Sequence, residues 1–256
     1  MMPEAVTTEK LKQQAIAHGF FGRTGGHSNS PFDSLNISFA VGDDPKAVNQ
    51  NLDDIATQIG VSPANLCLVK QTHSTMVISV TAASPRNDRI EADGMVTATK
   101  GLALGIQTAD CGPVLFADPK NQIIGGCHAG WKGAVGGIVG NTIEAMVQLG
   151  AERQHIIAIL GPSIRVESYE VGEKFKADVR AQHAHTAPYF KLPSNAKAPH
   201  FDLPHCIMDQ LESANIADIS DLELCTYQNS DKFFSHRKAT HLAEKTGRQL
   251  SVISLL

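Results

Sequence analysis

The sequence is poor in the features that mark nucleic-acid, membrane and secreted proteins. Aromatic residues make up 5% of its 256 positions, with one Trp and three Tyr. That is too few for a base-stacking platform. Its formal charge is −4 with no run of Lys or Arg, so nothing calls for a phosphate backbone as partner. No stretch approaches the roughly 18 apolar residues of a spanning helix, and the N-terminal segment lacks an apolar signal region. No nucleic acid, no membrane and a cytoplasmic location are therefore expected. The five cysteines are odd in number and form no Cys-x-x-Cys pair, which argues against a disulfide framework. The glycines build neither a Gly-Lys-Ser/Thr phosphate loop nor a Gly-x-Gly-x-x-Gly fingerprint.

What remains is ordinary globular material with one dense stretch. Hydrophobic residues make up 42% of the chain, enough for one large α/β domain or two small ones. No internal repeat or linker divides it, so a single domain over residues 1–256 is expected. Residues Ile106 to Lys132 organise the rest. They read as two buried strands joined by a tight connection, with Cys111 where the first begins and His128 where the second ends. His73, just past an earlier strand, completes a set of three metal-capable side chains.

The flanking elements follow from periodicity and caps. A short helix is predicted near residues 8–17 and a strand at His18–Phe21. Residues 22–31 read as a polar loop in which Arg23 offers a planar fork for phosphate or carboxylate. Phe32–Phe39 alternates as a half-buried strand does. Asp44-Pro45 opens a helix that carries Val48, Leu52, Ile55 and Ile59 on one face and stops at Gly60. Strands are predicted at Leu66–Lys70, Met76–Val80, from Asp93-Gly94 onward, Leu102–Ile106, Val114–Phe116, Ile123–Cys127, His155–Leu160, Leu222–Cys225 and Ser251–Leu256. Helices are predicted at Thr142–Leu149, Tyr169–Ala177 and from Phe201 through Leu211 and Ile216. Residues 181–200, with His183 and His185, read as a solvated loop, and Asp231–Arg237 as a loop or short helix in which Arg237 is a candidate to face the site.

Two chemistries fit His73, Cys111 and His128. One thiolate and two imidazoles suit zinc or copper, with a fourth position open for catalysis. Alternatively, Cys111 is a nucleophile and one histidine its base. Taken singly, each residue also has a plain structural reading, and the spacings match no regular zinc-finger pattern. Asp110 is a proton-shuttle candidate by adjacency alone, and neighbours on a strand point to opposite faces.

The blocks Arg23-Thr24-Gly25-Gly26, Ser34-Leu35-Asn36, Lys70-Gln71-Thr72-His73, Ala92-Asp93-Gly94, Thr108-Ala109-Asp110-Cys111-Gly112-Pro113, His128-Ala129-Gly130-Trp131-Lys132 and Phe234-Ser235-His236-Arg237 occur in order along nearly the whole chain. In these blocks the chain resembles the YfiH/laccase-domain family, formerly described as polyphenol oxidases and also as peptidoglycan editing factors. The resemblance implies a single mixed-sheet α/β domain of the YfiH-like, cysteine-hydrolase-like fold with flanking helices. It implies zinc, with copper as the older alternative, on His73, Cys111 and His128, and substrate contacts from Arg23, Asn36, Gln71, Lys132 and Arg237. It further implies phosphorolysis of adenosine, inosine and methylthioadenosine, with adenosine deamination beside it. The alternatives are an amidase that edits mis-built peptidoglycan precursors and a non-catalytic metal- or redox-sensing module. Small molecules are the expected partners, and a monomer or small homo-oligomer the expected state. Two positions depart from the family pattern: Lys132 stands where Arg is common, and His27 where an apolar residue is usual.

Overall fold

A computed structural model describes residues 3–86, 88–194 and 196–256. Met1, Met2, Asn87 and Asn195 lie outside that description, so the N-terminal start and one position of the predicted 181–200 loop are not covered. Strands β1 (Ala5–Val6), β2 (Ala17–Phe21), β3 (Leu66–Leu68), β6 (Ala103–Thr108) and β13 (Gln249–Ser254) form a five-stranded mixed sheet in the order β1-β2-β13-β6-β3. Strands β4 (Val77–Ser79), β5 (Gly94–Thr97), β7 (Gly112–Asp118), β8 (Ile123–Ala129), β9 (Ile157–Leu160) and β12 (Asp218–Asp221) form a six-stranded one in the order β12-β9-β7-β8-β5-β4. A short ribbon pairs β10 (Phe190–Lys191) with β11 (His200–Phe201). The helices are α1 (Glu9–Lys12), α2 (Pro45–Ile59), α3 (Trp131–Gly136), α4 (Ile138–Gln148), α5 (Glu173–Gln182), α6 (Leu203–Ser213) and α7 (His236–Leu242).

Alternation along β7 explains the layering. Leu115 and Ala117 pack with Phe20, Leu104, Ile106 and Ile253 of the first sheet. Their neighbours Val114 and Phe116 pack with Ile138, Ile143 and Met146 of α4 and Ile207 of α6. On the outer face of the first sheet, Leu66, Leu68, Leu250 and Val252 pack with Val48, Leu52 and Ile55 of α2. The result is two sheets face to face with a helical layer on each outer side. A strand buried on both faces reads as a continuous apolar run, which is what made β7 and β8 visible in the sequence. Each fully buried Leu, Ile or Phe contributes about 1.5–3 kcal/mol, so the hairpin is anchored from both sides.

Helix α2 forms where its cap and face predict, with the Asp44 side chain accepting from Lys46 N and Gly60 at φ +88° closing it. Several other boundaries differ from expectation. Phe32–Phe39 is not a strand. Leu35 and Ile37 are buried, but the backbone N–H of Ser34 and of Leu35 bonds to Arg23 O and that of Ile37 to Arg248 O, so the segment is an irregular loop held between distant strands. The edge strand near the C-terminus is β12 (Asp218–Asp221), paired in parallel with β9, rather than Leu222–Cys225. A half-exposed edge tolerates the polar Asp-Ile-Ser-Asp run that apolarity alone would reject. Helix α5 starts at Glu173, because Tyr169 and Val171 are held by backbone bonds with Phe201 and Pro199.

Candidate metal centre

Register in the second sheet brings the site together. The antiparallel pairing of β7 with β8 sets Gly112 opposite Ala129 and Pro113 opposite His128, so Cys111 and His128 share one end of the hairpin. Strand β5 pairs on the other side of β8, with Gly94 opposite Cys127, and Asp93 therefore falls beside His128. The His128 backbone N–H donates to Asp93 O at 2.7 Å. His73 lies on the connection from β3 to β4.

The donor atoms of His73, Cys111 and His128 lie within 4.8 Å of one another. Cys111 Sγ is 3.9 Å from His73 Nε2, and the two imidazoles meet edge to face at 4.7 Å between centroids. His128 is buried, Cys111 half-buried and His73 exposed, so the cluster opens toward solvent on the His73 side. His128 Nδ1 is paired with Asp93 Oδ1 at 2.7 Å, which leaves Nε2 for a ligand position. A carboxylate behind a ligating histidine fixes its tautomer and raises its basicity. One soft thiolate, two imidazoles and an open side match the donor chemistry of a catalytic zinc or copper site. Among the described residues this is the one such cluster of three.

Asp93 is the residue that sequence reasoning undervalued. Its carboxylate is completely buried. It accepts from the backbone N–H of Thr72 (3.1 Å), His73 (3.0 Å) and Ser74 (2.7 Å), and from Ser74 Oγ (2.7 Å). His73 sits at φ +60°, an uncommon conformation for a residue with a side chain, and so lets three successive N–H groups converge on one acceptor. One carboxylate thus sets both the backbone of His73 and the ring of His128. Burial alone would raise its pKa, but the hydrogen bonds from His128 and Ser74 outweigh this and hold it far below the usual carboxylate range. Its sequence signal, an Asp-Gly dipeptide, is the same as that of any turn.

Charge within the metal-free cluster is shared. Burial pushes the Cys111 thiol up, but the charge and hydrogen bond of His128, with those of His73, outweigh it and bring the thiol down to about 6. Burial pushes His128 down, while the Cys111 thiolate and Asp93 outweigh that and raise it to about 9. Burial alone pushes the structural Cys67 up to about 11, and it dominates in bringing Cys127 and Cys206 to about 12. In metal-free protein, iodoacetamide should therefore alkylate Cys111 first. The rate should hold from neutral pH down toward 6 and fall below it, as the thiolate is protonated. Mass-spectrometric mapping of the adduct against pH checks this; a rate that rises only above pH 8 would place no depressed thiol at Cys111.

A cavity of about 580 Å³ is lined by Trp131, three residues after His128, by Arg237, whose backbone N–H bonds to Asp110, and by Tyr169, Glu170 and Phe175, among others. Arg237 packs over the Tyr169 ring at 5.1 Å and donates to Glu170, which is also bonded to His241 Nε2 at 2.8 Å. Trp131 packs edge-on against Phe175 at 4.8 Å, and Lys132 Nζ lies 5.6 Å from the Trp131 ring.

The remaining predicted site residues are placed elsewhere or already engaged. Arg23 lines a different cavity, with its guanidinium on Asp33 O and Ser230 O and over the Phe234 ring. Asn36 is fully buried, and its amide ties Ser38, Asp43 and Arg248 together. The Gln71 amide pairs with both backbone groups of Gln107, extending the edge of β6 by a side chain. Asp110 accepts from Thr226 Oγ1 and from the Arg237 backbone N–H, each at 2.6 Å, so both of its oxygens are engaged. His27 is paired with Asp54 on α2 at 2.8 Å, a loop contact. Arg248, which sequence reasoning passed over, is close enough to Cys111 and Asp110 for its charge to feel both.

Fold and site together define a layered α/β protein with a thiolate–imidazole metal-type centre at one end of its central hairpin. The chain belongs to the family described as multi-copper polyphenol oxidoreductase laccase, whose model matches residues 17–256. It is 38% identical over 224 residues to a purine nucleoside phosphorylase of Streptomyces coelicolor, covering 87% of this chain and 90% of that one. It is 37% identical over 241 residues to a purine nucleoside phosphorylase of Deinococcus radiodurans, covering 94% and 90%. Among solved structures, the hypothetical protein YfiH of Bacillus licheniformis superposes with a TM-score of 0.87 at 29% identity over 99% of this chain and 97% of that one. Protein NMB0706 of Neisseria meningitidis gives 0.81 at 31% identity over 94% of each. This likeness carries the YfiH-like fold expected from the sequence. No helix among the described residues is long and apolar enough to cross a membrane.

Proposed function

We propose that this chain is a metal-dependent purine nucleoside phosphorylase. Its substrates are adenosine, inosine and S-methyl-5′-thioadenosine, with adenosine deamination as a side activity at the same centre. The observation that carries this reading is the three-donor cluster, with a cavity walled by aromatic rings and Arg237 whose Trp131 follows His128 by three residues and whose Arg237 is bonded through its backbone to Asp110, next to Cys111. Similarity to phosphorylases over most of the chain supports it. Five free cysteines fit a reducing cytoplasm.

In phosphorolysis, a phosphate oxygen forms a bond to C1′ of the ribose as the bond from C1′ to the purine nitrogen breaks. That bond's electron pair leaves with the base, which takes up a proton. Trp131, Tyr169 and Phe175 would hold the purine by stacking and apolar contact. Arg237 and Lys132 would hold the phosphate, Arg237 through its planar fork and Lys132 as a point charge. Glu170 would orient Arg237, and Asp110 would keep the start of α7 next to Cys111, a positioning role. A zinc ion held by His73, Cys111 and His128 would supply Lewis-acid polarisation at its open side.

The order Cys111–His128–Asp93 also favours a second reading. It is the nucleophile–base–carboxylate sequence of a cysteine hydrolase, which would suit amide cleavage in a mis-built peptidoglycan precursor. Metal separates the two, because the first reading needs it and the second is blocked by it.

The test incubates zinc-loaded protein with adenosine and with inosine, with and without inorganic phosphate, beside a Cys111→Ala control. Phosphate-dependent release of adenine and hypoxanthine is expected, with at least a hundredfold loss in the control. Base release that persists in Cys111→Ala would overturn the site. No release under any condition, with amino acid freed from a muramyl precursor by chelator-treated protein, would establish the hydrolase. Inactivity on both, with a reversible change at Cys111 under peroxide, would leave the sensing module.

A further inference from the structure

A third cavity, of about 390 Å³, lies between the loop that follows Asn36 and the connection from β4 to β5. None of the metal-cluster residues lines it. Two residues of its lining, Arg89 and Gln107, each carry a buried side-chain N–H without a hydrogen-bond partner among the described residues, Arg89 Nη2 and Gln107 Nε2. A buried N–H with no acceptor is costly, and two on one cavity wall demand an explanation.

Two of the three cations that line it are already paired. Arg86 is bonded to Asp53 at 2.6 Å and Lys70 to Glu91 at 2.8 Å. The Gln107 backbone is occupied by the Gln71 amide. Arg89 is different: its Nε donates to Arg86 O at 2.9 Å, its guanidinium lies 5.6 Å from the Phe39 ring centroid, and no carboxylate pairs with it among the described residues. The stacked guanidinium is thereby fixed with its fork free. The exposed Asp88 also lines the cavity and is the one carboxylate there.

We propose that this cavity is an anion site, in which a small molecule bearing a phosphate or carboxylate accepts from Arg89 Nη2 and Gln107 Nε2. The fork geometry matches an oxyanion with two oxygens in one plane. Phe39, Ala40 and Val69 offer an apolar wall for the remainder of the ligand. Gln107 lies four positions before Cys111, and Gln71 two before His73, so an occupied site would brace the segments that lead to two of the three donors. The assignment does not depend on the phosphorylase reading.

Calorimetric titration of zinc-loaded protein with inorganic phosphate, and separately with succinate, tests it. Phosphate also has a place in the proposed active site, so the variants carry the decision. Arg89→Met keeps the packing on Phe39 and should weaken one binding component at least tenfold, with zinc content unchanged. Gln107→Leu should weaken the same component. Without anion, Arg89→Met should melt no lower than the parent, since a buried unpaired donor is gone. The anion that shows the Arg89-dependent component identifies the headgroup as phosphate or carboxylate. Isotherms for both anions that are the same in the parent and both variants would overturn the site, and so would a parent that binds neither.

Discussion

Replacing Asp93 by Asn is expected to cost at least a hundredfold in kcat/KM and about 10–100-fold in zinc affinity, the usual scale for a carboxylate behind a metal-ligating histidine. The change is isosteric, so its effect lies in charge and hydrogen bonding. Asp93 accepts from three backbone N–H groups, from Ser74 Oγ and from the His128 ring. An amide has one acceptor oxygen and an NH2 that must face donors. At least one buried N–H then loses its partner, and His128 loses the anion that supports its charge. Removing one member of a buried ion pair costs about 3–5 kcal/mol, so the melting temperature should fall as well. The sign with pH follows from the depressed Asp93 pKa. Its contribution is complete above the ordinary carboxylate range and drains away as the pH falls from that range into strong acid, so the parent should gain no stability from Asp93 on moving from pH 6 to 8. Zinc affinity measured by chelator competition decides the matter. Unchanged affinity in Asp93→Asn would show that the carboxylate does not tune the ligands.

The same residue shows where the sequence was legible. The β7–β8 hairpin was readable because burial on both faces leaves an unbroken apolar run, and α2 because Asp44, Pro45 and Gly60 punctuate it. The three donors were locatable at strand ends, but their convergence was not, since register between β5, β7 and β8 is a long-range property. The supporting shell was least visible. Asp93 carries the signal of a turn, and Arg248 lies far along the chain from the residues it approaches. Asn36 and Gln71 illustrate the converse. Polar residues in distinctive blocks resemble substrate contacts, and sequence does not show that their amides also bond to backbone groups, of Ser38 and Arg248 for Asn36 and of Gln107 on the free side of β6 for Gln71. The Phe32–Phe39 segment was misread for a related reason: alternation reports which side chains are buried, not where the backbone bonds go.

Gly130→Ala is expected to disable the centre while leaving the fold standing. A Cβ at Gly130 would lie 2.6 Å from His73 Cδ2, 3.0 Å from Cys111 Sγ and 3.2 Å from His73 Nε2. These are far inside van der Waals contact, and two of the three atoms are the proposed ligands themselves. Something must move. The backbone of Gly130 cannot, because it follows β8 directly and caps α3. Cys111 is anchored by the start of β7, while His73 is the exposed member of the cluster, so its ring is the group that swings out. Zinc would be left with two protein ligands in place of three. Affinity should fall by about 10–100-fold or more and phosphorolysis with it. The metal-free variant should melt within a few degrees of the parent, since the displaced ring lies at the surface. Gly136 supplies the control: Ala there meets only Thr75 Cγ2, at 2.7 Å, away from the donors. If Gly136→Ala and Gly130→Ala lost zinc equally, the effect would be strain in α3. If Gly130→Ala kept full zinc affinity, His73 would not be a ligand, and the open side of the centre would have to be sought between Cys111 and His128 alone.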